Sequence, residues 1–242
     1  MSEQHRTSMD TGAQLLRALE QTGPNPVLAW YGEESRIELS GHVLANWVIK
    51  AIGHLHDEIA LAPGDRMVLD LPPHWKRLVL ALAAWSLGAE VSWHDRGGAP
   101  GEAAVPVPSP QVVATDRPDS TLAESAEEVL ALQAVSLAPR YDGELPALVH
   151  DWLSEVRGSS DRLGVELPRW SGPAPLEPAA PQRSDSAHGT PLPRLLTDED
   201  GLPAAAQLLG ALLTGGGIVG PASAVGEHQA REEGVTEQLR PR

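Results

Sequence analysis

Between Pro63 and Trp93 the chain contains one unit of architecture that few folds can use. Arg66–Leu71 is a mostly apolar run with the length of a strand buried on both faces, introduced by the turn signal Pro63-Gly64-Asp65. Pro72-Pro73 prevents its continuation, because proline cannot donate a ladder hydrogen bond. A helix follows over Trp75–Leu87, with Gly88 as its C-terminal stop, and Ala89–Trp93 reads as the next strand. Strand, helix and strand at this spacing make a βαβ crossover, which sets two strands parallel and requires helices over the sheet.

The flanking patterns extend that unit. A short helix carries Leu15, Leu16 and Leu19 and ends at Gly23-Pro24. Val27–Tyr31 and Arg36–Leu39 read as the strands of a hairpin. Ser40 occupies an N-cap position. After it, Leu44, Trp47, Val48, Ala51, Ile52, Leu55 and Ile59 fall on one helical face. Val112–Thr115 reads as a further strand, after a proline-rich loop over Pro100–Pro110. Glu124–Leu137 reads as a helix followed by a strand. Pro146 is placed to open a helix carrying Leu148, Val149, Trp152, Leu153 and Val156. The expected fold class is α/β: an incomplete doubly wound, mostly parallel sheet with an N-terminal β-hairpin and flanking helices.

Composition divides the chain. The 23 Gly and 22 Pro are not spread evenly, and Pro168–Pro193 is Pro-, Ala- and Ser-rich with hardly any apolar periodicity. The expected organisation is an α/β domain over 10–157 and a flexible Pro/Ala/Ser-rich linker over 158–200. A short helix-turn-strand over 201–220 would dock on the domain, followed by a disordered charged tail over 221–242. A net charge of −15 without any Lys/Arg run argues against nucleic acid and anionic membranes as partners. There is no cysteine, which excludes disulfides, thiolate catalysis and thiolate metal sites. Met1–Gly12 is polar, and the longest apolar stretch, Leu78–Trp85, is far short of the ~20 residues that span a bilayer. The expected location is cytoplasmic.

Three segments, in order, resemble the opening of the adenylate-forming superfamily, which includes acyl-CoA synthetases and other AMP-binding enzymes. The first is the hairpin leading into Ile37-Glu38-Leu39-Ser40 and its long helix. The second is Pro63-Gly64-Asp65-Arg66-Met67-Val68-Leu69-Asp70-Leu71-Pro72. The third is Leu80–Trp93, with Ala84-Trp85-Ser86-Leu87-Gly88-Ala89. Together they cover about residues 10–96. A fainter likeness lies in Leu208–Val219. The layout is also similar to a group of short actinobacterial chains. The resemblance implies the N-terminal domain of the superfamily in truncated form. The superfamily's phosphate loop ends in a lysine, yet residues 157–197 contain none, and the two lysines of the chain, Lys50 and Lys76, both lie early. Its later motifs and lysine-bearing lid have no counterpart here either. No complete catalytic set is present, and no catalytic residue is carried over.

Three other constellations bear on function. Gly215-Gly216-Gly217-Ile218-Val219-Gly220 matches G-x-G-x-x-G in letters, but it follows a helix and precedes a strand, so it reads as a helix-ending turn rather than a dinucleotide site. His54 and His56 point to nearly opposite sides of a helix and cannot share an ion, while His54 and Glu58 are one turn apart and can pair. No metal site is expected. The third group stands where parallel strands should end: His74 and Trp75, then His94, Asp95 and Arg96, then Asp116. Carboxyl ends of neighbouring strands form the usual ligand crevice of an open α/β sheet.

The leading expectation is a non-catalytic accessory or interaction module, or a degenerate relative, with no cofactor. Self-association or a protein partner would cover an exposed sheet edge. The alternative is a nucleotide- or acyl-ligand-binding protein, or a weak AMP-binding enzyme, holding ATP or AMP in that crevice.

Overall fold

The structure, a computed structural model, describes residues 11–32, 36–93, 109–134, 138–176 and 192–239. The chain is a mixed α/β protein with two mostly parallel five-stranded sheets and two compact units. One unit comprises Met1–Gly12 with Trp47–Gly172, and the other Ala13–Asn46 with Pro173–Arg242.

The first unit is built on β3 (Arg66–Asp70), β4 (Glu90–Trp93), β5 (Val112–Thr115), β6 (Glu128–Ala131) and β7 (His150–Asp151). Their order in the sheet is β4-β3-β5-β6-β7, and every neighbouring pair is parallel. Helix α3 (Trp75–Ser86) makes the crossover from β3 to β4 and packs on both strands. It is buried along its whole length, so its pattern is apolar all round rather than striped. Gly88 ends it at φ +77°, where a Cβ would also crowd Pro63. Helix α2 (Gly41–Asp57) contributes its part from Trp47 onward, burying Val48, Ala51, Ile52 and Leu55. The short α4 (Thr121–Glu124), capped by Ser120 Oγ accepting from Ala123 N at 3.2 Å, packs on β5. Helix α5 (Trp152–Gly158) packs on β6 and β7.

Two sequence expectations in this unit are corrected. The helix anticipated from Pro146 begins only at Trp152, because Asp151 caps it by accepting from Ser154 N at 3.2 Å. The preceding His150 and Asp151 are drawn into the sheet as β7, opposite Leu130 and Ala131. Leu148 is therefore not on a helix face: it is 95% exposed at a turn with φ +68°. Within Glu124–Leu137 the helix ends where it was expected to begin, at Glu124, and the strand occupies Glu128–Ala131.

Composition also misrepresents the start of the proline-rich region. Trp170 is 4% exposed, its ring 5.8 Å from that of Trp85, and Ser171 Oγ donates to Ala89 O at 2.6 Å. A Cβ on Gly172 would lie 2.7 Å from the Trp85 ring, so glycine allows this close approach. These residues fasten the segment to the end of α3 and the start of β4.

The second unit holds β1 (Pro26–Tyr31), β2 (Arg36–Ser40), β8 (Arg194–Leu196), β9 (Gly217–Gly220) and β10 (Glu237–Gln238) in the order β10-β8-β9-β1-β2. Only β1 and β2 are antiparallel, in the expected hairpin. The hairpin therefore belongs to a sheet of its own, completed by strands from the far end of the chain. Ser40 caps α2 as its sequence position implies, accepting from Val43 N at 3.3 Å. Helix α1 (Thr11–Thr22) buries Leu15 and Leu19, and α6 (Ala205–Leu213), packed on β8 and β9, buries Leu208, Leu209 and Leu212. The glycine run behaves as a helix-ending turn: Gly215 takes φ +81°, Gly216 N donates to Ala211 O at 2.8 Å, and β9 follows.

The charged segment after Gly220, expected to be disordered, is described as far as residue 239. It carries α7 (Glu227–Glu232) and β10. Glu233 holds it down, accepting from Tyr31 Oη at 2.8 Å, Arg36 Nε at 2.7 Å and Arg194 Nη2 at 3.0 Å. Burial alone would raise the Glu233 carboxyl, but these three donors outweigh it and hold the group below its ordinary value.

Candidate functional site

In the first unit the chain leaves β3 for β4 on one side and returns to place β5 on the other. The order reverses between β3 and β5, and their carboxyl ends form the topological switch point of an open parallel sheet. Residues 70–77 and 115–117 stand there.

Asp70 ends β3 and is 1% exposed. Its Oδ2 accepts from Thr115 Oγ1 at 2.9 Å, and Arg117 Nη2 lies 3.0 and 3.1 Å from the two carboxylate oxygens. Thr115 Oγ1 in turn accepts from Arg117 N at 2.9 Å. Register explains the meeting, since Asp70 and Thr115 are paired in the β3–β5 ladder. Arg77, 1% exposed, donates through Nη1 to Leu71 O at 3.1 Å and secures the chain just beyond β3. Tyr141 Oη donates to Asp116 O at 3.0 Å at the end of β5.

His74 and Trp75 lie where the sequence places them, after β3, but their surroundings are those of a helix start. His74 is the N-cap of α3, its Nδ1 accepting from Lys76 N at 3.2 Å. Burial, assisted by the nearby Lys76 charge, lowers its pKa to about 3, so it is neutral near pH 7 and a weak base. Trp75 is 2% exposed and packs edge-to-face on Trp47, ring centres 5.3 Å apart, as a core aromatic. Lys76 is 2% exposed, 5.7 Å over the Trp75 ring, and burial, with a smaller contribution from the Arg157 charge, lowers it to about 8. Asp116 is half-buried at the end of β5. His94, Asp95 and Arg96 lie outside the described residues. His74, Trp75 and Asp116 thus follow the carboxyl ends of the neighbouring strands β3 and β5.

Sequence reasoning missed Asp70, Thr115, Arg117 and Arg77. One signal was available: an aspartate terminating an otherwise apolar strand is costly to bury unless something meets it. His54 was also misassigned. It is 1% exposed, and its partner is Glu155, across 101 residues, at 2.9 Å rather than Glu58.

The mixed α/β architecture, with two mostly parallel sheets flanked by helices, is the fold seen in the N-terminal domains of acyl-CoA synthetases. Solved structures bear this out. An acyl-CoA synthetase from Brucella canis superposes with a TM-score of 0.63 at 17% identity, covering 93% of this chain and 46% of its own. The inhibitor-bound N-terminal domain of FACL13 from Mycobacterium tuberculosis gives 0.61 at 11% identity, covering 95% and 62%. Acetoacetyl-CoA synthetase from Streptomyces lividans gives 0.57 at 16% identity, covering 86% and 38%. No family model matches the chain. In sequence it is similar to a TIGR03089 family protein of Mycobacterium tuberculosis, 29% identical over 160 residues, which are 64% of this chain and 63% of that protein. The chain therefore spans less than two thirds of that relative and less than half of the two synthetases.

Proposed function

We propose that this chain is a non-catalytic, cytoplasmic accessory module built on the N-terminal fold of the adenylate-forming enzymes. The observation that carries this reading is the use made of its two lysines. Forming an acyl-adenylate requires a carboxylate to attack a phosphorus while charge gathers on phosphoryl oxygens, and a positioned cation must meet that charge. Lys50 Nζ is bound to the end of α5, donating to Arg157 O at 3.1 Å and Ser159 O at 2.5 Å. Lys76 is buried within α3 against Trp75. The polar groups at the switch point are likewise engaged inside the fold: Asp70 with Thr115 and Arg117, and Arg77 with a backbone carbonyl.

An accessory role is exercised through contact with another chain. Among the described residues the outermost strands are β2 and β10 in one sheet and β4 and β7 in the other, and an outermost strand can pair with a strand of another chain. The test is an ATP–pyrophosphate exchange assay over a panel of carboxylic acids, run beside light scattering of the purified chain. No exchange and a mass above that of the monomer are expected. Robust exchange overturns the non-catalytic reading, and a well-behaved monomer overturns association through an edge.

A second reading is favoured by two cationic side chains, Lys76 and Arg77, in the first turn of α3, the helix that follows β3. On it, the crevice binds ATP, AMP or an acyl compound without turning it over. Calorimetry with each compound separates the two. Saturable binding that disappears in Lys76→Met would replace the accessory role with ligand binding.

A further inference from the structure

We propose that His54, His150 and Glu155 form a binding site for a zinc-class divalent metal ion at the β7–α5 corner of the first unit. His54 Nε2 lies 2.9 Å from Glu155 Oε2, and His150 Nδ1 lies 2.8 Å from the same oxygen. One ligand atom from each residue falls within 4.8 Å of the others. The two imidazole rings stand nearly perpendicular, at 88°, with centres 6.2 Å apart. Two imidazole nitrogens and a carboxylate oxygen, all converging on one point, are the donor set of a three-ligand zinc site with its fourth position open to water. The absence of thiolate disfavours soft monovalent ions, and the two nitrogens disfavour magnesium and calcium.

The three residues come from three elements, α2, β7 and α5. His54 lies on the long helix α2, His150 on β7 in register with Leu130, and Glu155 in the first turn of α5, whose start Asp151 caps. The donors are thus held by backbone that does not depend on an ion to arrange it. A supporting shell is present as well. His150 Nε2 lies 3.2 Å from Glu128 Oε2 on the adjacent strand β6. A carboxylate on the far nitrogen of a ligating imidazole holds the orientation of the ring.

Burial divides the site into a closed and an open side. The His54 side chain is fully buried, while those of His150 and Glu155 are 27% and 38% exposed, so an ion can enter past them. His54 Nδ1 is buried with no hydrogen-bond partner among the described residues. Coordination requires the three ligand atoms to open slightly, to about 2.0–2.2 Å from a shared ion.

The test uses the full chain stripped with a chelator and titrated with zinc chloride by calorimetry, and with cobalt(II) followed by visible absorption. Saturable binding of a single equivalent is expected, with the intense visible bands of four-coordinate cobalt and a higher Tm. Glu155→Gln and His150→Ala should each weaken zinc at least tenfold and abolish the cobalt bands. Glu128→Gln, which removes only the supporting carboxylate, should weaken it about 10- to 100-fold. His56→Ala, on the exposed side of α2, should leave binding unchanged. Circular dichroism confirms that each variant is folded, and the partly exposed Glu155→Gln decides if His150→Ala is not. Absence of saturable binding, or binding that Glu155→Gln leaves intact, overturns the proposal.

Discussion

Arg117 Nη2 sits 3.0 Å and 3.1 Å from the two carboxylate oxygens of Asp70, pairing a half-exposed guanidinium with a carboxylate that is 1% exposed. The pair joins the loop after β5 to the end of β3. Because the cation is partly solvated, its value is less than that of a wholly buried ion pair. Arg117→Ala leaves Asp70 with one fewer charged donor and is expected to cost about 2 kcal/mol. Urea unfolding of the variant beside the parent checks it. A change below a few tenths of a kcal/mol would show that the carboxylate is satisfied without Arg117.

His74 makes the fold acid-sensitive. Its folded pKa is lowered to about 3, below the 6.5 of an unfolded imidazole. Between those values the unfolded chain takes up a proton that the folded chain refuses. This contribution to stability is therefore fully present above pH 6.5 and declines as pH falls, by at most about 1.4 kcal/mol per pH unit. His74→Asn keeps an acceptor for Lys76 N and removes the titration. Its urea midpoint should change less between pH 7 and pH 5 than the parent's, and an identical pH dependence would exclude His74 as the cause.

Leu148 carries a backbone penalty with no packing return. At φ +68° it occupies the left-handed region, while its side chain is 95% exposed. Left-handed geometry costs an L-residue roughly 1–2 kcal/mol, and glycine avoids that cost while adding unfolded-state entropy. Leu148→Gly should stabilise the chain by about 0.5 kcal/mol, seen as a small rise in Tm. A fall in Tm would show that the side chain has a role the turn does not reveal.

Asp151 serves two donors at once, accepting from Ser154 N at 3.2 Å and Tyr141 N at 3.0 Å through the same oxygen. Asp151→Ala removes both and should cost about 1–2 kcal/mol. Asp151→Asn, which retains an oxygen acceptor, should recover most of that loss.

Gly172 tests the fastening of the proline-rich segment. An added Cβ would meet the Trp85 and Trp170 rings at 2.7 and 2.8 Å, and the rings are too large to yield cheaply. Gly172→Ala should destabilise by about 1–3 kcal/mol. Limited proteolysis should then cut near Trp170 sooner than in the parent, and an unchanged cleavage pattern would count against the docking.

What could be read from the sequence was local. Ser40 before an amphipathic run, Gly88 after an apolar one and the Arg66–Leu71 strand each act through neighbours a few residues away, and each appears as expected. The errors arose where distant residues decide. Leu148, Val149 and Trp152 have helical spacing, but two residues between them pair with β6, and strand pairing overrides the pattern. His54 has a plausible partner one turn away in Glu58, while the real one lies 101 residues on. Of the candidate site, the position of His74, Trp75 and Asp116 after the strands was legible. The Asp70–Arg117 pairing was not, since it follows from the register of β3 on β5.

The hydrogen bond from Tyr31 to Glu233 spans 202 residues of chain. β1 cannot gain its parallel neighbour until β9 has been made, by which time every strand of the other sheet already exists. Loop closure over such a distance is slow, and contacts of this range delay folding more than they weaken the finished state. During synthesis the sheet of β3 to β7 is therefore free to form first, while the β1–β2 hairpin waits for its parallel neighbour. In that interval this protein is most exposed to aggregation and to chaperones.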